Sequence, residues 1–221
     1  MLTFHPVYEE ISPKIENDDY LIRLFRTALY AIKEEDGSLS RAVSQAPPDF
    51  QSFYNQGDHG LGYWAFESQI IHSIYKSWLA FVPVAWEKRN PQQPNQIDLV
   101  VYKPCDRTGP EQWEPSLICE AKWWMDNNTA TRVALKTDFK MMERWKTDVE
   151  KRVLIGLWYW DAAALSSESY ASIALREEIA NQLKTGVIEM LYMGAFPTDF
   201  TTMESPDKDG YFCMGFFHLR K

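Results

Sequence analysis

The sequence predicts an α/β (α+β) fold in which a mixed central sheet is flanked by helices. Apolar residues recur at helical spacing in segments 18–35, 64–80 and 131–149. Around these segments the chain has short β-branched or continuously apolar runs that are bounded by turn residues, as is typical of strands. A chain of 221 residues is long enough to bury one sizeable core.

The helices are predicted from their apolar faces. The first stripe consists of Leu21, Leu24, Phe25, Ala28 and Ile32, and the second of Ile70, Ile71, Ile74, Tyr75 and Trp78. Gly37 is a candidate for the end of the first helix, because glycine commonly follows a helical C-terminus. From Ser38 to Gly62, prolines and glycines indicate a loop. A further helix is predicted over 168–185.

The strands are predicted from runs of β-branched and aromatic residues. Segment 81–88 contains Pro83, which favours an edge strand or a bulge. Two strands are expected at IDLVVYK (97–103) and SLICEAKWW (116–124). The apolar run VLIGLWYW (153–160) is typical of a central strand covered on both faces. The last predicted strands span 187–196 and 211–219.

The predicted element order is α-α-β-β-β-α-β-α-β-β within a single domain, residues 1–221. Residues 64–160 would form the core of that domain. Residues 1–62 would be an N-terminal helical and loop extension, and residues 161–221 would add the C-terminal helix and strands.

Composition limits the possible classes of protein. A net charge of −8 counts against a nucleic-acid partner, although it does not say where the charges lie. Three widely spaced cysteines argue against a disulfide framework or a structural zinc site, so a reducing cytoplasmic location is expected. No apolar run approaches the roughly 20 residues that span a bilayer, so no membrane association is expected.

An acidic constellation stands out in the strands. Side chains alternate across a sheet, so Glu120 and Lys122 point to the same face. Asp98 lies near the start of the preceding strand, and a hairpin would bring it next to Glu120. Both acids are flanked by apolar neighbours, where a charge is costly unless it is paired or bound to a metal. That cost is the physical reason to expect a functional site.

The spacing of these residues resembles that of a known family. Asp98, then twenty-one residues, then Glu120-Ala121-Lys122 is similar to the Asp…(Asp/Glu)-x-Lys core of the PD-(D/E)xK, or restriction-endonuclease-like, nuclease superfamily. The order αβββαβ over roughly 64–160 is also that family's common core. Ile97 stands where the family's name has proline, a position at which members vary.

The resemblance implies a role for each residue. Asp98, Glu120 and the carbonyl of Ala121 would bind Mg²⁺ or Mn²⁺, and Lys122 would orient the attacking water. Glu67, on the helix before the first strand, would be an accessory metal ligand. An acid near a helix N-terminus can equally interact with the helix dipole, so this last role has a plain structural alternative.

The tripeptide alone is a weak signal. A second (D/E)xK match, Asp138-Phe139-Lys140, lies in a helical pattern where acid and lysine diverge, and we interpret it as a chance match. The first match gains weight from its strand context, from Asp98 and from Glu67. The structural alternative is a buried ion pair of Lys122 with Glu120 or Asp98.

A basic stripe follows the motif strand. It consists of Arg132, Lys136, Lys140 and Arg144, which recur every four residues and would share one helix face. The stripe would track a phosphate backbone, or it is simply a solvated face interleaved with Asp138, Glu143 and Asp148.

Two functions are therefore expected to compete. The first is a Mg²⁺- or Mn²⁺-dependent nuclease that hydrolyses phosphodiester bonds of nucleic acid, with DNA as the expected substrate. Cutting both strands with one site per chain would require a homodimer. The second is a non-catalytic binding or regulatory module on the same fold, whose acidic surface mimics nucleic acid or binds a partner protein.

Overall fold

The computed structural model describes residues 8–11, 19–49, 67–89, 96–105, 113–124, 129–145, 149–161, 188–198 and 210–220. They form three helices, which are α1 (Asp19–Ser44), α2 (Glu67–Trp78) and α3 (Thr129–Arg144). The seven strands are β1 (Tyr8–Ile11), β2 (Val84–Arg89), β3 (Gln96–Pro104), β4 (Trp113–Trp124), β5 (Lys151–Asp161), β6 (Ile188–Thr198) and β7 (Gly210–Leu219). None of these helices is long and apolar enough to cross a membrane.

The described strands form one mixed sheet in the order β1-β6-β7-β5-β4-β3-β2. Only β4 and β5 run parallel, and every other neighbouring pair is antiparallel. The predicted mixed sheet flanked by helices is confirmed. The run at 153–160 lies in β5, the central strand of the seven, as its apolar sequence predicts. Pro83 directly precedes β2, which is an edge strand.

Helices cover both faces of the sheet. On one face α1 and α2 pack on the odd-numbered residues of β3 and β4, such as Leu99 and Cys119. On the other face Phe139 and Met142 of α3 pack on Val100 and Ile118. The side-chain alternation of the strands thus divides the apolar residues between two separate cores. The same alternation puts the even-numbered Asp98, Glu120 and Lys122 on the α3 face.

The first helix is longer than predicted. It continues through Gly37 to Ser44, so the prediction that Gly37 ends it and that a loop begins at Ser38 is wrong. Leu39 and Val43 are partly buried and pack against the core of the α1 face. They extend the apolar stripe of Ile32 by about three turns, and this burial outweighs the low helix propensity of glycine.

Other differences lie near the chain termini and in the connections. No pattern in the sequence predicted β1, a four-residue edge strand that pairs with β6. The predicted helix over 168–185 and most of the loop before Gly62 lie outside the described residues. The remaining predicted strands agree with the structure to within about three residues at each end.

Two glycines provide a matched test of this packing. A Cβ on Gly215 of β7 would lie 2.6 Å from the buried ring of Phe217, whereas a Cβ on Gly37 would meet only the end of the Arg41 side chain, at 3.4 Å. We expect Gly215→Ala to lower the free energy of unfolding by about 1–3 kcal/mol through overpacking. Gly37→Ala should raise it by about 0.5–1 kcal/mol through helix propensity.

Urea unfolding monitored by tryptophan fluorescence measures both changes. A Gly215→Ala variant as stable as the wild type would show that β7 packs less tightly than the structure indicates.

Candidate active site

The centre of the site is a pair of neighbouring carboxyl groups on β3 and β4. The antiparallel register pairs Leu99 with Cys119, so Asp98 and Glu120 are the next residues along the two strands. Asp98 Oδ2 accepts a hydrogen bond of 2.8 Å from the backbone amide of Ala121. The predicted hairpin therefore brings the two acids together. Each acid is flanked in its own strand by buried apolar residues, and the strand alternation turns both acids to the same face of the sheet.

Burial and mutual repulsion shift both carboxyl groups. Desolvation, followed by the charge of Asp98 and a hydrogen bond to it, raises the pKa of Glu120 to about 11. The pKa of Asp98 is also raised, mainly by burial, although the Ala121 amide and the hydrogen bond from Glu120 oppose that shift. Glu120 therefore keeps its proton at neutral pH and donates it to the Asp98 carboxylate. Two acids in this position cannot both ionise without a compensating cation.

Glu120 also has an unsatisfied oxygen. Its side chain is 5 % exposed, and its Oε1 finds no hydrogen-bond partner within the described parts of the chain. A buried carboxyl oxygen without a partner costs free energy, because it has lost water and gained nothing in return. The atom therefore marks a place where a ligand would be stabilising.

Lys122 lies between carboxylates that come from the two sides of the sheet. Its ammonium nitrogen is 3.1 Å from Glu67 Oε1 on α2 and 3.5 Å from Asp138 Oδ2 on α3. The lysine side chain is only 18 % exposed. Burial alone would lower its pKa, but Asp138 and Glu67 outweigh burial, and the pKa is raised. Lys122 is thus a charged lysine held in one position at the end of β4.

Glu67 uses both carboxylate oxygens within the protein. Oε1 accepts from Lys122, and Oε2 accepts a 2.9 Å hydrogen bond from the backbone amide of Trp123. It begins α2, as an acid in the first helical turn, yet it reaches across to β4. In this arrangement Glu67 positions Lys122 and the end of the strand. Its predicted role as an accessory metal ligand would require these contacts to be exchanged, and that role stays a prediction.

Asp138 is a site residue that the sequence interpretation missed. The placement of Asp138 on a solvated helix face is wrong, because the residue is 7 % exposed and faces the sheet. Burial, partly offset by Lys122, raises its pKa to about 6. Lys140 is exposed, so the Asp138-Phe139-Lys140 tripeptide does not form a second motif. The available signal was its position four residues before the buried Met142, on the apolar stripe.

The basic stripe lies on the opposite side of α3. Lys136, Lys140 and Arg144 are exposed, while Phe139 and Met142 are buried against the sheet. The helix also spans Arg132, whose side chain is not among those that the structure describes.

The glycine-rich segment 55–62, which contains His59, lies outside the described residues as well. Its sequence fits either a loop over the site or a plain connection between two helices.

The donor set fits a hard divalent cation with few protein ligands. Across the described residues, no group of three or more His, Cys, Asp or Glu side chains is arranged to hold a metal ion. Asp98 and Glu120 supply two adjacent carboxyls, one of which has an unpartnered oxygen. Mg²⁺ commonly binds through one or two carboxylates and keeps several waters, so this pair suits Mg²⁺ better than a metal that needs a full protein cage.

The proton on Glu120 gives a test of the electrostatics. The pKa of Glu120 is about 11 in the folded protein, against an ordinary value of 4.5. Its contribution to the free energy of unfolding is therefore fully present below pH 4.5 and is lost as the pH rises towards 11. Glu120→Gln keeps a hydrogen-bond donor but cannot ionise. We expect it to raise the free energy of unfolding at pH 7 by up to about 3 kcal/mol in metal-free buffer.

The gain should shrink to nothing near pH 4, where Glu120 is protonated in both states. Denaturant unfolding across that pH range measures it. A gain that is independent of pH, or a loss of stability at pH 7, would contradict a protonated Glu120.

The two carboxylates at Lys122 give a second test. We expect Asp138→Asn to lower the pKa of Lys122, because it removes one of the two negative charges that keep the lysine protonated. Nitrogen-detected NMR of the lysine side chains would follow the titration, with the exposed Lys140 as internal control. Glu67→Gln should act in the same direction. A Lys122 titration unchanged in both variants would show that these contacts do not hold its proton.

Comparison with protein-family models, with curated proteins and with solved structures gives no match for this chain. The candidate site is therefore defined by the chain's own residues. Asp98 and Glu120 form the carboxyl pair, and Lys122 is the partly buried cation beside it. Glu67 and Asp138 hold that cation from the two helices.

Proposed function

We propose that this protein is a metal-dependent nuclease that hydrolyses phosphodiester bonds of nucleic acid. The observation that supports the proposal best is the pair of neighbouring carboxyl groups of Glu120, which is buried, and Asp98, which is partly buried. The pair shares one proton, and Lys122, two residues after Glu120, is charged and held in place. A divalent cation in place of that proton would let both acids ionise. The exchange would also satisfy Glu120 Oε1, a buried oxygen that has no hydrogen-bond partner among the described residues.

The residues divide the chemistry between them. Asp98 and Glu120 would hold Mg²⁺ or Mn²⁺, with the Ala121 carbonyl as a further ligand by resemblance to the PD-(D/E)xK nucleases. The bound metal would lower the pKa of a water and neutralise charge on the phosphate. The amide of Ala121 holds Asp98 in place by donating to its Oδ2. Preorganised carboxylates need little reorganisation when the cation binds.

Lys122 supplies a positive charge at a fixed point. The carboxylates of Glu67 and Asp138 keep it protonated and restrict its side chain. An ammonium in that position can donate to the attacking water or to a non-bridging phosphate oxygen as negative charge develops there. Because both partners come from helices on opposite faces, the direction of the lysine depends on the packing of α2 and α3.

The arrangement of elements also supports the proposal. The order α2-β2-β3-β4-α3-β5 among the described elements agrees with the αβββαβ order that the resemblance to a restriction-endonuclease-like core implies. Lys136, Lys140 and Arg144 offer cations on the outer face of α3, whose inner face carries Asp138. We propose DNA as the substrate, with these cations as phosphate contacts. Cleavage of both strands would then need a homodimer, and a cytoplasmic location belongs to the same proposal.

A second function is favoured by one observation. The protein has a net charge of −8, and in the absence of metal Lys122 is neutralised by two carboxylates. Such a surface is suited to a binding module that engages a basic partner protein or mimics nucleic acid. In that case the carboxyl pair would be a structural feature without turnover.

The deciding experiment is cleavage of supercoiled plasmid and labelled single strands with Mg²⁺ or Mn²⁺. We expect Lys122→Met, Asp98→Asn and Glu120→Gln each to lower the cleavage rate at least about 100-fold, as loss of a charge-stabilising group does in other enzymes. Lys103→Met is the matched control. Lys103 also pairs with two glutamates, but it is exposed and lies at the other end of β3.

Metal binding has its own readout. Mg²⁺ should raise the melting temperature of the wild type but not of Asp98→Asn or Glu120→Gln. A ligand that binds the folded protein and not the unfolded chain stabilises the folded protein. A wild type that neither cleaves nucleic acid nor responds to Mg²⁺ or Mn²⁺ would exclude the nuclease and favour the binding module.

A further inference from the structure

A second site lies on the face of the sheet that α1 covers. An open cavity of about 520 Å³ lies between α1 and β6, where Arg26, Tyr30 and Lys33 face Ala195 and Phe196. The tyrosine ring is 63 % exposed, so its face is accessible to a ligand. The cavity therefore has an apolar floor, an accessible ring and two cations at its rim.

The cations and the ring lie on one face of the helix. Residues 26, 30 and 33 are separated by four and three positions, so they fall within about 60° of one another around the axis. Arg26 and Lys33 are about 10 Å apart along that axis, with Tyr30 between them. The lining of the cavity contains two cations and no acid, although the whole protein is acidic. This surface is complementary to an anion with an aromatic group.

The cavity and the candidate active site lie towards the same end of the sheet but on opposite faces, with Ala195 level with Trp124, two residues beyond Lys122. Paired residues run across the sheet from Trp124 through Trp158 and Cys213 to Ala195, which lines the cavity. Strands β4 and β6 point in the same direction, so both sites lie near the same end of the sheet. Strands β4 and β6 are separated by three strand spacings of about 4.8 Å, or about 14 Å across the sheet.

A row of aromatic rings runs from Trp123 to Phe196 on the α1 face, and the rings of Phe196 and Phe212 are buried in its core. Trp123, which follows Lys122, lies 5.2 Å from Phe212, and Phe212 lies 5.8 Å from Phe196. Glu67 reaches Lys122 from α2, which packs on the same face as α1. Since the carboxyl pair lies on the α3 face, a strand of nucleic acid that leaves it would pass around the end of the sheet to reach Tyr30 on the α1 face.

We propose that this cavity binds one unpaired nucleotide of the substrate, with its base stacked on Tyr30 and its phosphates contacted by Arg26 and Lys33. The ring face accepts any base, so the subsite would confer a preference for single-stranded segments and not for sequence. The proposal rests on the nuclease function only in taking nucleic acid as the substrate.

Fluorescence anisotropy of a labelled oligothymidine with the full chain, in metal-free buffer, tests the proposal. Tyr30→Ala should weaken binding by about fivefold to 100-fold, whereas Tyr30→Phe should bind nearly as the wild type does, because stacking uses the ring and not the hydroxyl. Arg26→Ala and Lys33→Ala should each make the slope of log K against log salt concentration less negative by about 0.7, because each removes one phosphate contact. Binding of a blunt duplex should change much less in Tyr30→Ala.

Two variants serve as matched controls. Trp113 has a ring that is 44 % exposed, but it begins β4 at the other end of the sheet. Arg41 is an exposed cation in the last turn of α1, outside the cavity. Neither Trp113→Ala nor Arg41→Ala should alter binding as the cavity variants do.

The outcomes separate this proposal from the proposed function. Cleavage by the wild type with unchanged affinity in Tyr30→Ala would overturn the subsite and leave the nuclease standing. Tyr30-dependent binding without any cleavage would support the subsite and overturn the nuclease. A Tyr30→Ala protein that binds like the wild type but melts at a lower temperature would mean that the chain itself fills the cavity, which also overturns the subsite.

Discussion

The pairing of β3 with β4 is the constraint on which the candidate site depends. Its register puts Asp98 and Glu120 side by side in a region that excludes most water. Burial prevents the two acids from being ionised at the same time. One proton therefore remains between them, and Glu120 Oε1 remains unsatisfied by the described residues. Without a bound cation, a pair of acids in this position is unfavourable for folding. Its cost is offset once a divalent cation or another positive group is bound there.

Lys122 links this pair to the rest of the fold. Its two partners arrive from α2 and α3, helices that pack on opposite faces of the sheet. The position of α2 is itself fixed, since the indole of the buried Trp78 donates a 3.0 Å hydrogen bond to the Leu24 carbonyl of α1. Both cores must therefore form before Lys122 is held in place. Changes in helix packing would reach the site through that lysine.

The distribution of charge explains how an acidic chain can serve a polyanionic substrate. Some of the acids counted in the net charge present little charge to the solvent: Glu120 is buried and protonated, and Asp98 and Asp138 face a lysine and the proposed metal. Exposed cations gather elsewhere, on the outer side of α3 and on the stripe of α1 around Tyr30. Net charge alone is therefore a poor guide to the partner, because a polyanion responds to local fields within about 8–10 Å.

The sequence by itself determined the features that arise from local periodicity. The period of two puts Glu120 and Lys122 on one face, and the short hairpin places Asp98 beside them. The period of 3.6 marks the buried faces of the helices. Only the tertiary structure decided which distant groups meet. Asp138 approaches Lys122 because α3 crosses the sheet there, and the cavity at Tyr30 exists because α1 lies beside β6. Such contacts depend on how elements far apart in the chain pack together, which no local pattern encodes.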